Sequence, residues 1–346
     1  MGHLTPGIDS GLHLTLETLS MTRTEFAILG AGALGSILAA HLAAAGHDVV
    51  VLARGERARN INEQGLRIKG LARISVHVPV IMDPSELQAA EILIVATKTP
   101  GTQAALERLG HVEVGVAFSV QNGVLKDELL AHVFGGAHVL GAVADTSGEL
   151  LPSGEVLFTR NVNLPLGELT GDTGRATCIA GLIDDTGIRS RAVADIVARE
   201  WSKFTAWVPL MSLAVVTRLP TWRYLSDCDC ALVLVRVTRE MAWLAAALEV
   251  TLREEGILFP LGTVVKAEEK VAVEAVRAAG DRLRLDAPDH RMSSLQDLES
   301  GRTLEFEETV GDAVRRASQL HRALPLLEAL YHLMAGIDRA RRITAS

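Results

Sequence analysis

Two groups of residues in this 346-residue chain have the types and spacing to do chemistry together. The first is Gly30-Ala31-Gly32-Ala33-Leu34-Gly35, a G-x-G-x-x-G run. In such a run the first glycine permits a tight turn, the second lets the backbone approach a pyrophosphate, and the third lets a helix pack against a strand. Free N–H groups and the dipole at the helix start would favour the phosphates. A bare glycine turn and a methyltransferase loop are the rival readings. The second group is Lys203 on a stretch whose Trp207 and Met211 follow at i+4 and i+8, so all three share one helix face. A lysine on a mostly apolar face either snorkels at its edge or is held for chemistry. Far along the chain come Ser293, Ser294, Asp297 and Glu305. Without further context Glu305 reads as a first-turn helix carboxylate, and the serines read as loop or capping hydroxyls.

These residues need a frame, and the apolar pattern supplies one. Short buried-strand runs at 26–29, 48–53, 92–96 and 114–120 alternate with helical stretches such as 33–45. That alternation implies right-handed β-α-β crossovers and a parallel sheet. From 138 to 168, glycines, Pro152, Pro165 and alternating apolar residues suggest antiparallel edge strands, followed by a helix at 174–186 and a strand at 188–193. From about 195 the pattern is helical, at 196–216, 228–254, 264–279, 303–320 and 324–340, with 281–300 read as a polar loop. The expected division is an extension over 1–22, a dinucleotide-binding domain over 23–194 and a helical domain over 195–346. The cleft between two such domains is the default ligand site.

The cofactor is read at the end of the second strand. An NAD site usually has an acidic residue there for the ribose hydroxyls. Here the chain reads Ala53-Arg54-Gly55-Glu56-Arg57. A guanidinium at Arg54 matches a 2′-phosphate, which points to NADPH/NADP⁺ and counts against a methyltransferase. Arg54 as a plain surface residue is the alternative. Lys98 and Asn122 follow the strands at 92–96 and 114–120, on the sheet edge where such folds bind ligands.

Composition narrows the class. Lys plus Arg is 34 and Asp plus Glu is 42, a net charge of −8. An acidic chain is a poor general binder of nucleic acid or anionic membrane. No apolar run reaches the roughly 20 residues of a membrane span. Cys178, Cys228 and Cys230 are too few for a disulfide scaffold, and Asp227-Cys-Asp-Cys230 reads as a helix start rather than a metal site. No metal is expected, and a reducing cytoplasm is the simplest compartment. The partner is a small molecule. The helical half offers a face for a homodimer, although its apolar positions read equally well as core.

Together these segments resemble the ketopantoate reductase (2-dehydropantoate 2-reductase) family from about residue 24 to 340. The matching stretches are Gly30 to Gly35, Ala53-Arg54-Gly55, Asn62 to Leu66, Thr97-Lys98, Gln121-Asn122-Gly123, Trp201-Ser202-Lys203, Ser293 to Asp297 and Gly301 to Glu305. The resemblance implies a Rossmann-like doubly wound domain followed by an all-α domain of the 6-phosphogluconate dehydrogenase C-terminal-like kind. It implies NADPH-dependent reduction of a 2-oxo acid to a 2-hydroxy acid, ketopantoate to pantoate above all. It makes Lys203 the catalytic lysine and proton donor. It puts Glu305 in the pocket, beside both cofactor and lysine, with Asn122 and Ser293 on the substrate and Lys98 and Asn122 near the cofactor. Hydride arriving at a carbonyl carbon builds charge on its oxygen, which an ammonium can neutralise with a proton. A nearby carboxylate would keep that lysine charged.

One departure is informative. The family usually carries Asn four and eight residues after the lysine, where this chain has Trp207 and Met211 in an ungapped match through Pro220. The family serine is usually followed by Met, here by Ser294. A larger, more apolar wall suits a bulkier substrate for an NADP-dependent 2-hydroxy-acid dehydrogenase, unless Trp207 merely packs between domains. A non-catalytic NADPH-binding protein is the remaining reading.

Overall fold

A computed structural model describes residues 23–254 and 258–345; the expected extension over 1–22 lies outside them. In chain order the first part contains β1 (Thr24–Leu29), α1 (Ala33–Ala44), β2 (Val49–Leu52), α2 (Gly55–Gln64), β3 (Leu66–Gly70), β4 (Ile74–Val76), β5 (Val80–Ile81), β6 (Ala89–Val95), α3 (Thr102–Glu107), β7 (Glu113–Ser119), α4 (Leu125–Phe134), β8 (Val139–Ala142), β9 (Asp145–Leu150), β10 (Val156–Glu168), α5 (Gly174–Asp185) and β11 (Ser190–Ala192). The helical part contains α6 (Ile196–Thr217), α7 (Thr221–Ser226), α8 (Cys228–Ala247), α9 (Leu261–Lys266), α10 (Glu269–Asp286), α11 (Ser293–Glu299), α12 (Val310–Gln319) and α13 (Pro325–Ala345).

The sheet runs β4-β3-β10-β8-β7-β6-β1-β2-β5, with β9 and β11 also paired to β10. The stretch from β8 to β5 is parallel. Alternation along β1 shows why both faces are covered. Phe26 and Ile28 pack into the core shared with Ile37, Leu38 and Leu42 of α1. Ala27 and Leu29 face the opposite core with Leu106 of α3 and Leu130 of α4. Strands buried on both faces read as continuous apolar runs, as β6 does in Ile92-Leu-Ile-Val95. A third core joins the helical part around α6, α8 and α10.

Several local expectations are corrected. β8 lies parallel to β7, so the antiparallel edge begins only with β9 and β10. Short, half-exposed β3, β4 and β5 carry too few apolar residues to signal themselves. α8 stops at Ala247, close to Glu249 in the left-handed region at φ 60°. The polar stretch 281–300 is largely helical: α10 extends to Asp286, and α11 covers Ser293 to Glu299. Leu295 and Leu298 bury its inner side. α12 starts at Val310, so Glu305 lies in the irregular segment before it and not in a helix turn. The expected helix start at Cys228 stands, because the Asp227 side chain accepts from the Cys230 N–H at 2.9 Å.

The glycine loop is held by close approach. Gly30 has φ +104°, and a Cβ there would meet Thr97 at 2.7 Å. At Gly35 a Cβ would sit 2.0 Å from the Gly30 carbonyl oxygen and 3.0 Å from Ala96. Gly35→Ala should therefore lower stability by at least about 1–3 kcal/mol, the usual cost of overpacking. Thermal melts of the two proteins check this, and equal midpoints would show that the helix can shift away from the strand.

Candidate active site

Gly32 caps the start of α1 with no side-chain hydrogen bond, and the first turn carries no acidic residue. A Cβ at Gly32 would meet nothing within 4 Å. The loop opens onto a cavity of about 590 Å³ lined by Gly30, Ala31, Gly32, Arg54, Lys98 and Arg108, among others. Ala33 and Leu34 lie in the first turn of α1, and Gly35 is buried against the loop. Among the described residues, four cationic side chains line this cavity, with Arg57 as the fourth, and no Asp or Glu does. In a chain of net charge −8 that sign reversal is a local electrostatic site for anions.

The two arginines after β2 divide the work. Arg57 is locked in place: its guanidinium donates to the Ala31 carbonyl at 2.9 Å, to Ser36 at 2.9 Å and to the Gly154 carbonyl at 2.8 Å. Arg54 is exposed at the cavity rim, at the position preceding α2. Arg57 therefore stiffens the loop, while Arg54 stays available to a ligand. The uncapped helix start and the open space over Gly32 fit the pyrophosphate of a dinucleotide.

Lys203 sits in the second turn of α6, and its amine rests on the carboxyl ends of the sheet. Nζ donates to Asn122 Oδ1 at 3.2 Å, in the loop after β7, and to the Ala144 carbonyl at 2.8 Å, between β8 and β9. Burial outweighs every other influence and pulls its pKa down from 10.5 to about 8. Asp145 is the strongest of the groups opposing that fall, ahead of Glu305 and Glu200, while Lys126 adds to it. Desolvation of the ammonium is thus a larger effect than the pull of the carboxylates, yet with a pKa of about 8 the amine is still mostly charged at neutral pH.

Glu305 bridges the two parts of the chain. Its Oε1 accepts from the Thr99 N–H at 3.0 Å, in the loop after β6. Burial raises its pKa, against that hydrogen bond and the charge of Lys98. Beside it Lys98 donates to Asp297 Oδ2, whose other oxygen takes Arg302 Nε at 2.7 Å. A third link joins Arg316 of α12 to Glu128 of α4 at 2.8 Å. Asn122, Lys203, Glu305 and Lys98 therefore meet along one seam between sheet and helices.

The other expected residues fall differently. Trp207 is buried but lines a cavity of about 360 Å³ with Lys203, Leu210, Leu258, His290 and Met292. Met211 has no exposed surface and packs within the helical core, so it does not line that cavity. Ser293 is exposed at the start of α11, whereas the hydroxyl of Ser294 is buried without a hydrogen-bond partner. Four residues near Lys203 were not singled out from the sequence. Asp145 forms a bidentate pair with Arg160, at 2.6 and 3.0 Å. Lys126 and Glu200 form a buried pair that lines a small cavity with Lys203. Only the one-turn spacing of Glu200 and Lys203 hinted at this arrangement.

Comparison with known proteins identifies the surroundings of this seam. Residues 26–171 match the family model described as ketopantoate reductase PanE/ApbA, and residues 195–338 match its C-terminal companion. The 2-dehydropantoate 2-reductase of Archaeoglobus fulgidus is 29% identical over 314 residues, covering 90% of this chain and 97% of that protein. The crystal structure of 2-dehydropantoate 2-reductase from Geobacter metallireducens is 26% identical, with a TM-score of 0.77 over 91% of this chain and 99% of that one. D-mandelate dehydrogenase, solved with NADH and anilino(oxo)acetate, has a TM-score of 0.78 over 92% of this chain and all of that chain, at 17% identity, a likeness of fold alone.

The amine of Lys203 should lose its proton near pH 8. Labelling by an amine-reactive reagent, followed site by site, should give Lys203 a midpoint close to that value, where exposed lysines need about pH 10.4. A midpoint at the ordinary lysine value would mean that the amine is solvated and not held at the seam.

Proposed function

The chain belongs to the ketopantoate reductase family and is an oxidoreductase, and we propose that it reduces a 2-oxo acid to the 2-hydroxy acid with NADPH as reductant. The observation that carries this reading is the Lys203 amine, fixed by Asn122 and Ala144 at the same sheet end as a cavity whose charged lining residues are cations.

The cofactor, when bound, supplies the hydride. The uncapped start of α1 and Gly32 would hold its pyrophosphate, and Arg54 would hold the 2′-phosphate. Lys203 gives its proton to the carbonyl oxygen, so that the carbonyl gains a hydride on carbon and a proton on oxygen. With a pKa of about 8 it is mostly charged at neutral pH, yet a readier donor than an ordinary lysine. Asn122 orients the amine through its Oδ1 and keeps its amide N–H groups for the substrate. Glu305 lies where its charge acts on Lys203, and it ties the cofactor-side loop at Thr99 to the helical part. Ser293, exposed at the start of α11, would meet the substrate with its hydroxyl.

2-Dehydropantoate is the substrate that the relatives' names favour. A second reading has its own observation. The cavity beside Lys203 has an apolar wall of Ala206, Trp207, Leu210, Leu258 and Met292 alongside the polar Asp145, Ser147, Thr159, Arg160 and His290, and the apolar wall suits a bulkier 2-oxo acid. D-mandelate dehydrogenase, similar in fold, was solved with an aryl-bearing oxo acid.

NADPH oxidation with 2-dehydropantoate against aryl and alkyl 2-oxo acids separates the two. Best turnover of 2-dehydropantoate supports the first reading, and preference for a bulky acid supports the second. Absence of turnover on any 2-oxo acid, despite tight NADPH binding, would contradict both. Arg54→Ala should raise the KM for NADPH about tenfold or more, the scale of a lost charge-assisted pair of about 1.5–3 kcal/mol. The KM for NADH should hardly move, and an equal loss for both cofactors would remove Arg54 from the 2′-phosphate site.

A further inference from the structure

The cavity of about 360 Å³ beside Lys203 has two unlike sides. Trp207, Leu210 and Leu258 lie on the apolar one, and Asp145, Arg160 and His290 on the polar one. A 2-oxo acid is divided in the same way, with a carboxylate next to the reacting carbonyl and a side chain beyond it. The Lys203 amine has little to give that carboxylate. Two of its three hydrogens go to Asn122 and Ala144, which leaves one for the carbonyl oxygen. Its charge is shared as well, because behind it Lys126 meets both Glu200 and Asp127, and Asp145, Glu305 and Glu200 all act on Lys203. One turn further along α6 stands Trp207, which offers no amide.

Arg160 is the second cation lining this cavity. Asp145 takes the side edge of its guanidinium, with Nε donating at 2.6 Å and Nη2 at 3.0 Å. The other edge, Nη1 and the second hydrogen of Nη2, makes no hydrogen bond to the described residues. A guanidinium can serve two carboxylates through its two edges. β10 shifts register between Phe158 and Arg160, an irregularity that lets the neighbours Thr159 and Arg160 both line the cavity. The Arg160 side chain is 48% exposed, so its ion pair adds little to stability. His290 is no rival cation. Burial, and then the charge of Arg160, push its pKa below the ordinary value, and its Nδ1 is engaged with the Thr221 hydroxyl at 2.9 Å.

We propose that Arg160 anchors the carboxylate of the substrate with the open edge of its guanidinium, so that the chain selects 2-oxo acids over their neutral carboxamides. The inference rests on the reduction proposed above. It gives Arg160 a binding role and leaves the proton to Lys203. Asp145 would then face the substrate carboxylate as a like charge. It weakens the anchor without abolishing it, because solvent reaches the half-exposed guanidinium and screens the repulsion. Asp145 and Lys203 also border a second cavity, of about 270 Å³, with Arg191 and Arg199. Trp207 and Met292 do not line that one, so Arg191 serves as the counter-test.

The test offers the full chain, with NADPH, the 2-oxo acid it turns over best and the carboxamide of that acid. The wild type should favour the acid about tenfold or more in kcat/KM. Arg160→Gln should lower kcat/KM for the acid by about tenfold or more, the scale of a lost charge-assisted bond, and move that for the carboxamide less than about twofold. The KM for NADPH should hold. Asp145→Asn removes the like charge and keeps an oxygen for Nε, so it should raise the preference for the acid. A wild type that takes both compounds alike would overturn the anchor. So would equal losses for both in Arg160→Gln, a fall in preference in Asp145→Asn, or a preference that vanishes in Arg191→Gln instead. If no 2-oxo acid is reduced at all, the reduction itself has failed. Calorimetric binding of 4-methyl-2-oxopentanoate and its carboxamide, with NADP⁺ present, then decides Arg160 by the same comparison.

Discussion

An ammonium has to stay charged in a half-buried seam, and much of the molecule is arranged around that requirement. Desolvation drives Lys203 toward its neutral form, and it wins enough to bring the pKa to about 8. What keeps the amine in place is a carbonyl and a side-chain amide at the ends of β7 and β8. Those acceptors lie just past the ends of parallel neighbours β7 and β8. The buried apolar strands, the two covered faces of the sheet and the long α6 are therefore the means by which two oxygen atoms meet one nitrogen. The same sheet end carries the glycine loop two strands from β7, so the anion-binding cavity and the amine share an edge.

Charge is sorted in space as well as counted. The chain is acidic overall, yet among the described residues the charged groups lining the large cavity are cations. Carboxylates flank the cavity from both sides: Asp83 pairs with Arg108 at 3.2 Å on the sheet side, Glu305 and Asp297 face it from the helical part, and Glu200 lies behind the amine. The links Lys98 to Asp297 and Arg316 to Glu128 join sheet and helices across this boundary. Lys98 is partly exposed, so its pair contributes modestly, and the buried apolar surface of α6 carries most of the cohesion.

The parts of this arrangement written in local sequence were legible. Gly30 to Gly35 announced itself because glycine is the residue that allows the +104° turn and the 2.0 Å approach. The apolar runs announced the strands for the same reason that they are buried. Lys203 stood out as a cation on an apolar helix face. Long-range contacts left no local trace. Lys126 and Glu200 are 74 positions apart, and Lys98 and Asp297 are 199 apart, so nothing near either residue reveals its partner. α11 was hidden because its polar residues resemble a loop while only its inner side is apolar. Met211 shows the limit of helical spacing. It shares a face with Lys203 and Trp207, but that face passes from the seam into the core within two turns.

The most direct test is the rate of 2-oxo acid reduction by Lys203→Ala, with NADPH saturating and with small primary amines added. Loss of about 10²–10⁴ in kcat, the usual contribution of a positioned proton donor, is the expected result. NADPH should still bind, and added ammonium species should restore part of the rate. A variant that reduces the acid at close to the wild-type rate would show that the proton comes from elsewhere, and that the seam around Lys203 serves the fold rather than the reaction.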